Sequence, residues 1–80
     1  MNQLMPLAMA CPGEEVQVVN IKAGWGLNRR LADMGLTPGV SISIINSQQP
    51  GPVLINLRGC RLALGRGVAQ KIMVKEVGNG

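Results

Sequence analysis

A helix that must stop on a glycine and turn at once into a strand constrains this chain more than any other feature. In the run Leu27-Asn28-Arg29-Arg30-Leu31-Ala32-Asp33-Met34-Gly35-Leu36-Thr37-Pro38-Gly39, Leu27, Leu31 and Met34 recur at helical spacing and share one face. Gly35 stands where a helix C-terminus favours a left-handed residue, a conformation open to glycine at no steric cost. Pro38-Gly39 suits the central positions of a type II turn, which feeds a strand beginning at Val40. On this reading Leu31, Met34 and Leu36 belong to the core.

Short strands surround the joint. Leu4 to Ala10 is apolar but broken by Pro6, and reads as a turn of helix or an arm laid on the core. Cys11-Pro12-Gly13-Glu14 is a turn signal. Glu15 to Ile21 follows as a strand, with Val16 and Val18 on one face and Val19 and Ile21 on the other, a switch that implies a bulge or burial on both sides. Ala23-Gly24-Trp25-Gly26 reads as a flexible loop into the helix. Val40 to Ile45 and Val53 to Leu57 alternate as half-buried strands, separated by a loop at 48–52. Arg58-Gly59 is a two-residue hairpin turn, after which Cys60, Leu62 and Leu64 face one way and Arg61 and Ala63 the other. Gly65 to Ala69 is short enough for one 3₁₀ turn, and Lys71 to Val77 is a last strand with Ile72 and Val74 inward. Five strands and one short helix in this length favour a small barrel or sandwich.

The totals narrow the function. Eighty residues make one domain, 1–80, with an ordered part at about 4–77 and a fraying tail at 78–80. Phe and Tyr are absent and Trp25 is the single aromatic, so Val, Ile, Leu and Met must build the core. Without histidine no Ser-His or Cys-His pair exists, and Glu14 and Glu15 point to opposite faces of a strand, a poor acid–base pair. The chain therefore reads as a non-enzyme. Cys11 and Cys60 fit no zinc spacing and read as small buried hydrophobes with reduced thiols. Glycine at 24, 26, 65 and 67 matches no nucleotide fingerprint.

A net charge of +4 is compatible with nucleic acid, an anionic membrane surface, an acidic protein partner or a merely solvated surface. One tryptophan makes no stacking platform for single strands, and no long basic helix is available for a major groove, so nucleic acid is not the expected partner. No stretch approaches the ~20 apolar residues of a membrane span, and the N-terminus lacks the basic region of a signal peptide. A cytoplasmic location follows as the expectation.

The block from Arg30 to Gly39 resembles the R-L-x-x-M-G-L-x-P-G signature of the FeoA family, small cytoplasmic components of ferrous iron transport. Pro12-Gly13-Glu14 resembles the turn before that family's first strand. Arg58-Gly59-Cys60-Arg61-Leu62-Ala63-Leu64 is similar to its hairpin, and Ala69 to Val74 to its closing strand. The resemblance covers about Leu4 to Val77. It implies a mainly β, SH3-like five-stranded barrel with a short helical insertion between its first two strands. It also implies a partner, the cytoplasmic region of the membrane ferrous iron permease, with its GTP-binding domain.

A related domain ends some metal-dependent repressors, where it can donate carboxylates to a metal. The family's acidic residue before the alanine is replaced here, in Val68-Ala69, which weakens the transfer of metal ligation. The leading expectation is a regulator of ferrous iron uptake that works by protein–protein contact and is recruited to the inner face of the membrane. The alternative is an intracellular transition-metal sensor, and a weak or shared Fe(II) site stays open under either reading. The expected contact residues are Trp25, Asn28, Arg29, Arg30 and Asp33. Self-association through uncovered strand edges is a further expectation.

Overall fold

The computed structural model describes residues 3–48 and 50–77; the tail expected to fray at 78–80 lies outside them. The chain is mainly β, as expected, with the helix inserted between the first two long strands. In chain order the strands are β1 (Met5–Pro6), β2 (Glu15–Ile21), β3 (Ser41–Asn46), β4 (Val53–Leu57), β5 (Cys60–Leu64) and β6 (Ile72–Glu76). The helices are α1 (Trp25–Asp33) and α2 (Arg66–Ala69). The short first strand comes from the arm before Ala10. Met5 and Pro6 pair antiparallel with Val74 and Met73, and the chain then makes a 3₁₀ turn at Leu7–Met9. Both readings of that segment are therefore realised in part.

One antiparallel sheet runs in the order β1-β6-β2-β3-β4-β5. The register of β2 on β6 shifts between Val18 and Asn20, which is the bulge implied by the switch of apolar faces. The sheet stays open, with β1 and β5 at its two edges. Its inner face carries Val16, Val18, Ile42, Ile44, Val53, Ile55, Ile72 and Val74, all buried, together with Leu7 from the 3₁₀ turn.

The helix end is built as the glycine demands. Leu36 N–H donates to Leu31 O at 2.9 Å and Gly35 N–H donates to Ala32 O at 2.9 Å. With Gly35 at φ +95°, these bonds form a Schellman cap. Its accompanying apolar contact is Leu31 with Leu36, 2 % and 0 % exposed. Next, Val40 N–H donates to Thr37 O at 3.1 Å, while Gly39 takes φ +97°. This is the type II turn with Pro38 and Gly39 at its centre. Gly39 N–H donates to Val18 O at 2.7 Å and Val18 N–H to Val40 O at 2.9 Å, so the turn is sewn to β2.

Several local expectations change. Met34 is 42 % exposed and not core, because the cap turns its side chain out where the helix ends. Trp25 and Gly26 begin α1 instead of lying in a loop, since Gly24 already serves as the N-cap. Cys11 and Cys60 are exposed free thiols, not buried hydrophobes. Cys11 sits in a turn, and Cys60 starts the edge strand, with no strand beyond it among the described residues. Residues 66–69 form a one-turn α-helix in place of the 3₁₀ turn.

Arg66, read from the sequence as one cation among several, has a structural task. Its guanidinium donates to Gly51 O at 3.2 Å, Ala8 O at 3.3 Å and Ser47 O, tying α2 to the arm and to the β3–β4 loop.

Gly35 and Gly39 separate two costs. A Cβ at Gly39 meets open space, whereas one at Gly35 lies 3.1 Å from Leu57 Cδ2 in the core. Gly39→Ala is expected to lose about 1 kcal/mol, and Gly35→Ala about 2–3 kcal/mol, in urea unfolding. Equal losses would contradict the placement of Leu57 against the cap.

Candidate functional site

The surface at the start of α1 is assembled by asparagine. Asn28 Nδ2 donates to Ala23 O at 2.7 Å and to Gly24 O at 3.1 Å, and Asn28 N–H donates to Gly24 O at 3.1 Å. These bonds fasten the incoming loop to the first turn of the helix. Asn28 thus positions the first turn of the helix as well as lining its surface.

Trp25, fixed at the first helical position, is 75 % exposed. One turn later Arg29 places its guanidinium carbon 5.3 Å from the centroid of the Trp25 ring, within cation–π reach. The pair narrows the conformations of two large side chains while leaving both in solvent. Beside them a shallow groove of about 300 Å³ runs along Ile21, Ala32 and the Thr37-Pro38 turn.

Three of the five expected contact residues, Trp25, Asn28 and Arg29, line this groove. Arg30 and Asp33 do not line it. The helical step of about 100° per residue sets them on a neighbouring stripe, both exposed.

A second groove escaped the sequence reading. Met34, Gly35, Leu57, Arg58, Cys60 and Leu62 line about 340 Å³ between the helix cap and the β4–β5 hairpin. It was missed because Met34 and Cys60 were assigned to the core. Only the edge position of β5, which the alternation does not carry, exposes it.

Carboxylates meet at the far side of the sheet. Glu14 finds its partner in Glu76 of β6, not in its neighbour Glu15. The Cys11 N–H donates to Glu14 Oε1 at 2.7 Å and holds the Glu14 carboxyl below its ordinary range, helped by a hydrogen bond with Glu76. The same hydrogen bond, with the charge of Glu14, pushes the Glu76 carboxyl up. Among the described residues no three Cys, Asp or Glu side chains are grouped to hold a metal ion.

The two shifts act oppositely on stability. The Glu14 contribution is present above the unfolded carboxylate value and lost as pH falls through its lowered folded value. The Glu76 contribution is present below the unfolded value and lost as pH rises through its raised folded value. Glu76→Gln keeps a donor to Glu14 and removes the like charge. Its Tm is expected to exceed that of the parent at pH 7, with the difference closing as pH falls through the carboxylate range. A difference that stays constant from pH 7 to pH 4 would contradict the pairing.

Comparison with known proteins places this geometry. A Methanocaldococcus jannaschii protein, provisionally named Fe(2+) transport protein A, is 46 % identical over 77 residues, covering 96 % of this chain and 93 % of its own. The crystal structure of an iron uptake regulatory protein, FeoA, superposes with a TM-score of 0.88 at 39 % identity, covering 94 % of this chain and 100 % of that one. A manganese-dependent transcriptional repressor shares the fold alone, with a TM-score of 0.85 at 19 % identity over 96 % of this chain and 44 % of the repressor. The family model described as FeoA domain matches residues 5–76. With this match and the SH3-like sheet and capped helix already described, the chain belongs to the FeoA family.

Proposed function

We propose that this chain is a non-enzymatic accessory protein of ferrous iron uptake. It binds the cytoplasmic region of the ferrous iron permease at the inner face of the membrane, through the groove beside Trp25. Iron is the cargo of that system and not a resident of this chain. The name of the Methanocaldococcus jannaschii relative, a transport protein for Fe(2+), supports the setting. The absence of histidine supports a role without catalysis, since no imidazole is present to move a proton near neutral pH. No helix among the described residues is long and apolar enough to cross a membrane.

The observation that carries the reading is Trp25. The single aromatic side chain of the protein is 75 % exposed, clasped by an arginine at 5.3 Å and set beside an apolar groove. Burial of a ring is worth several kcal/mol, so a core built wholly of aliphatic side chains gains nothing by leaving its one ring in water. Tryptophan and arginine are also both enriched among the residues that dominate the energetics of protein interfaces.

Trp25→Ala is expected to weaken binding to the permease cytoplasmic region at least about tenfold in calorimetry. The same change should move Tm by no more than about 4 °C, because the side chain is solvated. A large loss of Tm with unchanged affinity would assign the ring to packing and overturn the reading. Arg30→Ala should slow association at low salt and have no effect at high salt; a slowing independent of salt would count against an acidic partner surface.

A further inference from the structure

The strand β5 lies at one edge of the sheet. Its turn fixes which of its backbone groups are engaged. Arg58 and Gly59 both take positive φ, 53° and 86°, which is the type I′ geometry of a two-residue hairpin. Such a turn makes Leu57 and Cys60 a hydrogen-bonded pair, and alternation then makes Leu62 with Ile55 and Leu64 with Val53 the next ones. The N–H and C=O groups of Arg61 and Ala63 therefore point away from β4. Among the described residues no strand lies beyond β5 in the sheet order. Among the described residues, none of the backbone hydrogen bonds made outside the regular elements involves residues 60–64.

The side chains at that edge are unfinished in the same way. Cys60 and Leu62 share the face of Ile55 and Leu57, yet Cys60 is exposed and Leu62 only half-buried. With Met34, 42 % exposed, they line the 340 Å³ groove at the open end of the core. Charge selects the occupant. No acidic residue stands between Asp33 and Glu76, while the hairpin carries Arg58 at its turn and Arg61 on its outer face. Two copies of β5 side by side would bring Arg61 near Arg61 with no carboxylate to answer either, which disfavours a second copy of this chain.

We propose that the open edge of β5 docks an extended segment of an acidic partner protein, which joins the sheet as an added strand. Its backbone pairs with Arg61 and Ala63. Its apolar side chains, opposite Cys60, Leu62 and Leu64, fill the Met34–Leu62 groove. Its carboxylates fall opposite Arg61 and beside Arg58. Main-chain bonds would supply affinity and the alternating side chains specificity. This site is separate from the Trp25 groove and does not depend on what occupies it.

The test uses the full chain, labelled for NMR, and two capped nonapeptides, one alternating valine with glutamate and one alternating valine with lysine. The expected result is that the glutamate peptide shifts the Arg61 and Ala63 amides and protects them from exchange, while the Trp25 indole stays in place. The lysine peptide, Arg61→Glu and Ala63→Pro should each weaken binding about tenfold. Proline is tolerated on an edge strand where its N–H faced solvent, and Tm confirms that the variant folds. If Ala63→Pro fails to fold, Arg61→Glu decides. Absence of binding to the parent, equal affinity for the lysine peptide, shifts confined to the Trp25 groove, or undiminished binding by the folded variants would each overturn the proposal. Concentration-dependent shifts at β5 without peptide would assign the edge to a second copy and overturn it equally.

Discussion

Two backbone hydrogen bonds at the end of α1, from Leu36 N–H to Leu31 O and from Gly35 N–H to Ala32 O, decide where the helix stops and where the sheet resumes. They close only because residue 35 can take φ +95°. Once they close, Leu31 and Leu36 are driven together into the core and Met34 is turned outward. The Pro38-Gly39 turn then arrives opposite Val18, where bonds in both directions sew it to β2. The direction of α1, and with it the position of Trp25, follows from this cap. A displaced cap would move the ring, the Arg29 clasp and the groove together.

An SH3-like sheet that stays open leaves different surfaces at its ends. At the β2 side the helix lies over the joint and presents a solvated ring beside Ile21 and Pro38. At the β5 side the core runs out, leaving a half-covered leucine and an exposed methionine next to unpaired backbone groups. Of the four acidic residues, Glu14 and Glu76 meet beside the paired ends of β2 and β6, and Asp33 stands on the exposed stripe of α1 outside both grooves. One arginine lines each groove, Arg29 and Arg58, and no carboxylate does, so acidic surfaces are the complementary partners for each.

Much of the fold was legible because its punctuation is chemical. Gly35, the Pro38-Gly39 turn, the Arg58-Gly59 hairpin and the alternation of Val53, Ile55 and Leu57 each have one economical solution, and the chain adopts it. The two-residue strand at Met5–Pro6 was not legible as such, because its only support is pairing with Met73 and Val74 far along the chain. The same long-range dependence hid the exposure of Cys60. Alternation says which face a residue takes, but only the strand order says whether anything covers that face. Arg66 was opaque for a related reason, since the three carbonyls it binds come from loops that only tertiary structure gathers. In the candidate site, Trp25 and Arg29 were each readable as contact residues, but their pairing one helical turn apart was not, because the glycines around Trp25 read as a loop. The positioning role of Asn28 and the separation of Arg30 and Asp33 from the groove needed the helix to start at Trp25.

The most direct measurement is chemical-shift mapping of the labelled protein against the soluble cytoplasmic domain of its own organism's ferrous iron permease. The account predicts shifts concentrated on the Trp25 indole, Asn28, Arg29 and Ala32, with the Glu14 and Glu76 region unchanged. An unperturbed Trp25 indole at saturating partner would contradict it.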